Sequence, residues 1–293
     1  MAFLEYQPEK TLFQYCSPNA FFGILQSKQL WFSDLASAND PREIRLGYEH
    51  FIEALNSVRQ NEYRGERGQF LSNLAGQLAT YHTIARAYCC CFSLAVDELP
   101  MWAAYGADYG GLAIGFRPTA IFDIPARVQK VVYLNENTGD DFRKLVLEIA
   151  ALFDATRDPD DLNYWISATV GAHTAVTALK HTSWAYEREV RVVYMQGIQQ
   201  LDEEDIRAIA DYLPAGKSIR WIDPLERTSG TKIVKYLHFP FGRFREGAFD
   251  PSRAIEKVIV GPHCPLSQSD VTEAMREHGF ENFEVTKSIC EIS

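Results

Sequence analysis

The sequence predicts an α+β protein built on a mixed, mostly antiparallel sheet. Three observations predict it. Strand-like and helix-like stretches mix without steady β-α-β alternation, the chain opens strand–helix–strand, and two all-helical patterns, about 44–86 and 139–182, interrupt the strands. No repeat, low-complexity tract or linker divides the 293 residues, which read as a single domain over 1–293 carrying those two helical insertions.

Thr11–Cys16 (T-L-F-Q-Y-C) reads as a strand. Ser17-Pro18 follows as an N-cap with proline at the first helical position, so 19–28 reads as a short helix and 29–33 as a second strand. Residues 34–43 have loop chemistry, with a turn signal at Asn39-Asp40-Pro41. Ile44, Tyr48, Phe51, Ile52 and Leu55 then mark a helix, and 69–86 another. Tyr88–Leu94 (Y-C-C-C-F-S-L) is continuously apolar, as a central strand would be, with Cys89 and Cys91 on one buried face. A short helix over 99–105 precedes strands at 112–116 and 128–134. Helices follow at about 142–152 and 162–179. Glu187–Met195 alternates cleanly, with Val190, Val192 and Tyr194 facing one way and Glu187, Glu189 and Arg191 the other. The remaining expectations are a helix over 203–213, strands over 231–239 and 254–260, a helix over 267–278 and a last strand over 281–286.

Composition narrows the function classes. Hydrophobic residues make 46% and charged residues 23%, which is ordinary for a globular chain, while the formal charge of −10 and the lack of a basic stripe argue against broad binding to nucleic acid or an anionic membrane. No apolar run reaches the ~18 residues of a membrane span, and the first ten residues lack the pattern of a signal peptide. The six cysteines include three adjacent ones and no Cys-x-x-Cys pair, so reduced thiols in a cytoplasmic protein are expected.

Three constellations can carry chemistry. Glu187 and Glu189, two apart on one strand face, set their Cβ atoms about 7 Å apart, close enough for one carboxylate to orient a hydroxyl while the other takes a proton. The bland alternative is an ion-pair ladder with Arg191. Asn39-Asp40-Pro41-x-Glu43 either aims a carboxylate into a cleft or opens a helix. Ser93, then Met101, Trp102 and Tyr105, then the glycines at 106, 110 and 111 either build a stacking pocket or pack as core. The seven histidines are scattered, His173 reads as a satisfied core residue, and no nucleotide-loop, zinc or serine-elbow motif occurs.

The ordered set Asn39-Asp40-Pro41-x-Glu43, Cys91-Phe92-Ser93, Met101-Trp102-x-x-Tyr105-Gly106, Gly110-Gly111-x-x-Ile114-Gly115-Phe116, Lys180-His181-x-x-Trp184-x-Tyr186-Glu187-x-Glu189-x-Arg191 and Val258-Ile259-Val260-Gly261-Pro262 resembles a widespread prokaryotic family catalogued as a domain of unknown function. The opening strand–helix–strand is also similar to the start of ADP-ribosyltransferase-like domains. There the first strand carries an Arg or His, a middle strand a Ser or Tyr, and a late strand Glu, sometimes Glu-x-Glu. The matching positions are Gln14 or Tyr15, then Ser93 or Tyr105, then Glu187 and Glu189, with neither Arg nor His in 12–16. That similarity implies an ADP-ribosyltransferase-type sheet and NAD as substrate. Tyr15, Trp31, Ser93, Trp102, Tyr105 and Arg191 would hold the dinucleotide, and Glu189 or else Glu187 would act on the ribose. It also implies a protein or nucleic-acid target and a toxin or phage-defence setting. Two further readings stay open. One is a metal-dependent nuclease or phosphoesterase using Asp40, Glu43, Glu187 and Glu189, with Lys180 as its catalytic cation. The other is a non-catalytic sensor or interaction module of the same fold.

Overall fold

A computed structural model describes residues 6–37, 43–81, 86–122, 124, 126–151, 162–196, 223–229, 231–241 and 249–291. The helix expected over 203–213 lies outside the described residues, as do Asn39, Asp40 and Pro41.

The architecture is α+β with a mixed, mostly antiparallel sheet. Strand β1 (Leu12–Cys16) leads through helix α1 (Pro18–Ser27) into β2 (Gln29–Asp34). Ser17 caps α1 by accepting the Ala20 amide hydrogen, and Pro18 starts it, as the Ser-Pro pair predicts. Helices α2 (Glu43–Asn61) and α3 (Glu66–Tyr81) precede β3 (Arg86–Ser93). Helix α4 (Leu99–Tyr105), β4 (Leu112–Phe116), the short α5 (Pro118–Phe122), β5 (Arg127–Lys130) and β6 (Val132–Tyr133) follow. Then come α6 (Thr138–Ala151), α7 (Leu162–Val176), β7 (Leu179–Lys180), a 3-10 helix (Thr182–Glu187) and β8 (Glu189–Gln196). The chain closes with β9 (Leu225–Ser229), β10 (Lys232–Pro240), β11 (Ile255–Val260), α8 (Gln268–Glu277) and β12 (Glu284–Lys287).

Ten strands form one sheet in the order β12-β11-β4-β1-β3-β2-β10-β9, with β8 also paired to β3 and β5 to β8. Among its described strands only the β11–β12 pair is parallel. Strand β3 is central, as its apolar run predicts. Its one edge pairs with β8 from Arg86↔Gln196 to Ser93↔Glu189. Its other edge is shared: β1 touches it at Phe13↔Ser93, and β2 at Ser33↔Cys89 and Asp34↔Tyr88. Both run antiparallel to β3 and compete for the same edge, so the sheet forks there. Helix α1 spans the fork, burying Phe21 and Leu25 in the core beneath and turning Asn19, Ala20, Gly23 and Ser27 outward.

Two cores result. Leu30, Phe32, Tyr88, Phe92, Val190, Val192 and Tyr194 fill the sheet's core. The two helical segments pack on each other, with Phe51, Leu55, Leu71, Leu74, Leu145, Val146 and Val176 in a second core.

Several expectations are corrected. Residues 128–134 form not one strand but two: β5 joins the main sheet while β6 pairs in parallel with β7 in a separate two-stranded sheet. Arg86, expected as the last residue of the helix over 69–86, begins β3. The helix expected over 162–179 ends at Val176, and Leu179 belongs to β7. Glu187 is not in the late strand. It ends the 3-10 helix, and Arg188, with φ of 44°, turns the chain before β8 begins at Glu189. Strand β9 was unforeseen, because its residues are exposed or half-buried and show no apolar alternation.

Candidate active site

A cavity of about 730 Å³ occupies the fork. Four strands contribute to its lining, among them Cys89, Cys91 and Ser93 from β3, Glu189 and Arg191 from β8, Trp31 and Ser33 from β2, and Val234, Tyr236 and His238 from β10. Strand β1 and the outward side of α1 form the opposite wall. The volume suits a small-molecule or nucleotide site.

The end of the cavity at β7 and β8 holds a buried charge cluster. Lys180 Nζ donates to Glu187 Oε2 at 2.6 Å and Glu189 Oε2 at 3.0 Å. Arg191 grips Glu189 with a fork, Nε to Oε1 at 2.6 Å and Nη2 to Oε2 at 3.1 Å, and its Nη1 donates to the Thr177 carbonyl at 2.7 Å. Tyr105 donates its hydroxyl hydrogen to Glu187 Oε1. Lys180 comes from β7, placed by the Val132 amide donating to the Ala178 carbonyl at 2.8 Å, and it lies 4.9 Å from the Trp184 ring. His181 caps the following 3-10 helix, which delivers Glu187. The expected pair of glutamates therefore does meet, but through a left-handed turn and a bridging lysine rather than by sharing a strand face.

The electrostatics of the two carboxylates differ. Burial raises the Glu187 carboxyl and the charge of Glu189 adds to this, against Lys180 and Tyr105. Burial would raise Glu189 too, but the Arg191 guanidinium and then Lys180 hold it well below the usual carboxylate range. Burial and the bond to Glu187 push the Tyr105 phenol up, so it stays a donor. Glu187 thus has exchangeable partners, a phenol and an ammonium, whereas Glu189 is clamped.

The other expected residues fall as follows. Ser93 lines the cavity and donates to the Glu187 carbonyl while accepting the Ala95 amide hydrogen at 2.8 Å, so it ties the end of β3 to the 3-10 helix that carries Glu187. Tyr15 reaches the cavity wall, but its hydroxyl donates to the Ala95 carbonyl at 3.1 Å and accepts from the Asp97 amide at 2.9 Å; burial pushes its pKa up to about 12. Trp31 stands at the rim, 49% exposed, with Tyr236 at 4.6 Å and 31°. Trp102 is corrected: it is 0% exposed, packs edge-on to Tyr15 at 4.8 Å, spends its Nε1 hydrogen on Asp97 at 2.7 Å and lies off the cavity. Arg191 is 1% exposed and bound on three nitrogens, so it positions Glu189 rather than presenting a free fork to a ligand. The glycines at 106, 110 and 111 serve packing: a Cβ on Gly111 would meet the Cys16 carbonyl oxygen at 2.1 Å. Cys91 faces the cavity rather than a core, 3.8 Å from Cys89 Sγ. His173 is buried and bonded to the Tyr48 hydroxyl, as a core histidine would be.

Three functional groups were missed or underweighted. Lys180 organises the cluster; its signal was a lone lysine closing the apolar run A-V-T-A-L. Gln14 lines the fork with its Nε2 3.3 Å from Cys90 Sγ and its buried Oε1 without a hydrogen-bond partner. Arg227 reaches the cavity from β9, where L-E-R-T-S offers no signal.

Among the described residues no three His, Cys, Asp or Glu side chains converge as metal ligands, and both Glu187 and Glu189 are held by protein cations that a metal ion would have to displace. Asp40, one of the four carboxylates of the metal-dependent reading, lies outside the described residues. No described helix is long and apolar enough to cross a membrane.

Residues 101–192 match the model of a family described as a protein of unknown function (DUF2971), the kind of family that the ordered motifs resemble. The matched segment runs from α4 into β8 and contains Tyr105, Lys180, Glu187, Glu189 and Arg191. No curated protein and no solved structure matches the chain.

Proposed function

We propose that this chain, matched over residues 101–192 to a family of unknown function, is an ADP-ribosyltransferase-like enzyme that uses NAD as substrate. The observation that carries the reading is the forked cavity with the Lys180-bridged glutamates at one end. A β-α-β opening that straddles a central strand, a serine at the end of that strand and a glutamate on its neighbour occur in the order such enzymes use. Gln14 stands where their first strand carries a cation, and its orphaned buried Oε1 fits a ligand donor such as a ribose hydroxyl or a carboxamide.

In this reading the bond between the ribose C1′ and nicotinamide breaks, and the electron pair leaves with nicotinamide. A nucleophile on a protein or nucleic-acid acceptor bonds C1′ and releases one proton. Glu187 exchanges the Tyr105 phenol for a ribose hydroxyl, and its charge stabilises the cationic character that builds on the sugar. Arg191 clamps Glu189, Glu189 holds Lys180, and Lys180 keeps Glu187 in place. The cellular setting would be a toxin or a phage-defence effector.

The test is incubation of the full chain with labelled NAD, alone and with cell lysate. Nicotinamide should be released and a lysate component labelled. Glu187→Gln should lower turnover by about 10²–10³-fold, the usual cost of one electrostatic group aimed at the transition state. Absence of nicotinamide release, of labelling and of any NAD-dependent thermal shift would sink the reading.

A further inference from the structure

The carboxylates that line the cavity are each claimed. Asp34 accepts from Arg86 at 3.5 Å and from the Ala36 amide at 3.0 Å, Glu187 is held by Lys180, and Glu189 by Lys180 and Arg191. Arg227 is the exception among the cavity's cations. Its Nη2 donates to the Ser33 hydroxyl oxygen at 3.0 Å and its guanidinium lies 5.6 Å from the Trp31 ring centre, yet no carboxylate among the described residues pairs with it. Its Nε is buried with no acceptor. A buried donor left unmade is costly, and a guanidinium suits the bidentate grip of phosphate oxygens.

The group stands on the arm of the sheet away from the glutamates, where β9 adds to β10 and β10 to β2, in register Val234↔Arg227 and Tyr236↔Ser33. There the half-exposed Trp31, stacked on the buried Tyr236, offers an aromatic platform beside the cation. A cavity with a cation and aromatic rings in one region, and a hydroxyl-binding carboxylate in another, fits a ligand that is itself divided into base, phosphates and sugar.

We propose that Arg227 and Ser33 form a diphosphate subsite of this cavity, with the base of a nucleoside diphosphate on the Trp31–Tyr236 platform. The proposal rests on the reading of the cavity as a dinucleotide site, and it supplies from β9 the cation that the first strand lacks.

The test is calorimetric titration of the full chain with ADP, AMP and adenosine, for the wild type, Arg227→Gln and Arg227→Lys. Wild type should bind ADP at least tenfold tighter than adenosine. Arg227→Gln should bring ADP down to the adenosine level while leaving adenosine unchanged. Equal affinity for ADP and adenosine, no ADP binding, or unaltered ADP binding in Arg227→Gln would overturn the subsite. Should that variant fail to fold, Arg227→Lys decides: it keeps the charge but loses the Nε donor, and must weaken ADP by threefold or more. Arg227-dependent ADP binding without nicotinamide release defeats the enzyme reading alone. Nicotinamide release with an unchanged KM in Arg227→Gln defeats the subsite alone.

Discussion

Lys180 lies buried between two carboxylates, those of Glu187 and Glu189, with Arg191 as the fourth member of the cluster. The two glutamates pull stability in opposite directions with pH. Glu189 has a folded pKa below its unfolded value, near 4.3, so its contribution is full above that value and is lost as the pH falls toward the folded one. Glu187 has a folded pKa above its unfolded value, so its contribution is present in acid and fades as pH rises through the folded value. Glu189→Gln should therefore flatten the loss of stability between about pH 5 and pH 3. At neutral pH the same change should cost ~3–5 kcal/mol, because Arg191 and Lys180 lose a buried counter-charge. Urea denaturation at a series of pH values measures both, and an acid slope as steep as the wild type's would show that Glu189 does not carry it.

At the scale of elements, the site depends on how one turn is made. Arg188 sits in the left-handed region at φ 44° between the 3-10 helix and β8, and this turn brings Glu187 back beside Glu189. Holding a non-glycine residue there costs roughly 1–2 kcal/mol, while its exposed pair with Glu98 at 3.1 Å is worth little. Arg188→Gly should be neutral or stabilising with the site intact, and Arg188→Val should destabilise and lower NAD cleavage; equal melting temperatures for the two would refute this role. The strand–helix–strand opening was legible because its signals are local: Ser17 caps, Pro18 starts, and the flanking strands are apolar. Glu-x-Glu was legible as a pair but not as a turn, since period-two alternation looks the same whether or not residue 188 has left the strand. Arg227 and β9 were not legible, because their place is set by pairing with β10, far from any local pattern. Trp102 misled for a related reason: helical spacing cannot say which aromatic of α4 faces the core and which the cavity. Helix α1 supplies a further test. A Cβ on Gly23 would meet nothing within 4 Å, so Gly23→Ala should gain about 0.5–1 kcal/mol from helix propensity; a measured loss would mean the helix is strained there.

At the scale of the whole molecule, the site joins the two cores. Glu189 and Arg191 come from the main sheet, while Lys180, and Glu187 after it, follow α7 through β7, whose Leu179 is buried in the helical core. Helix α2 packs against α7 and β7 through Gly47, where a Cβ would meet the Val176 carbonyl oxygen at 2.1 Å. Gly47→Ala is chemically the same change as Gly23→Ala, and propensity alone would favour both equally. Backbone cannot yield as the end of a flexible side chain can, so α2 must lift away and the sign reverses: we expect a loss of about 1–3 kcal/mol, the usual range for overpacking. The chain from Val176 to Lys180 moves with it, so nicotinamide release should fall further than the unfolded fraction accounts for. Thermal unfolding and turnover, both measured well below the melting point, separate these effects. Full turnover from a destabilised Gly47→Ala protein would show that the helical layer supports the fold without positioning Lys180.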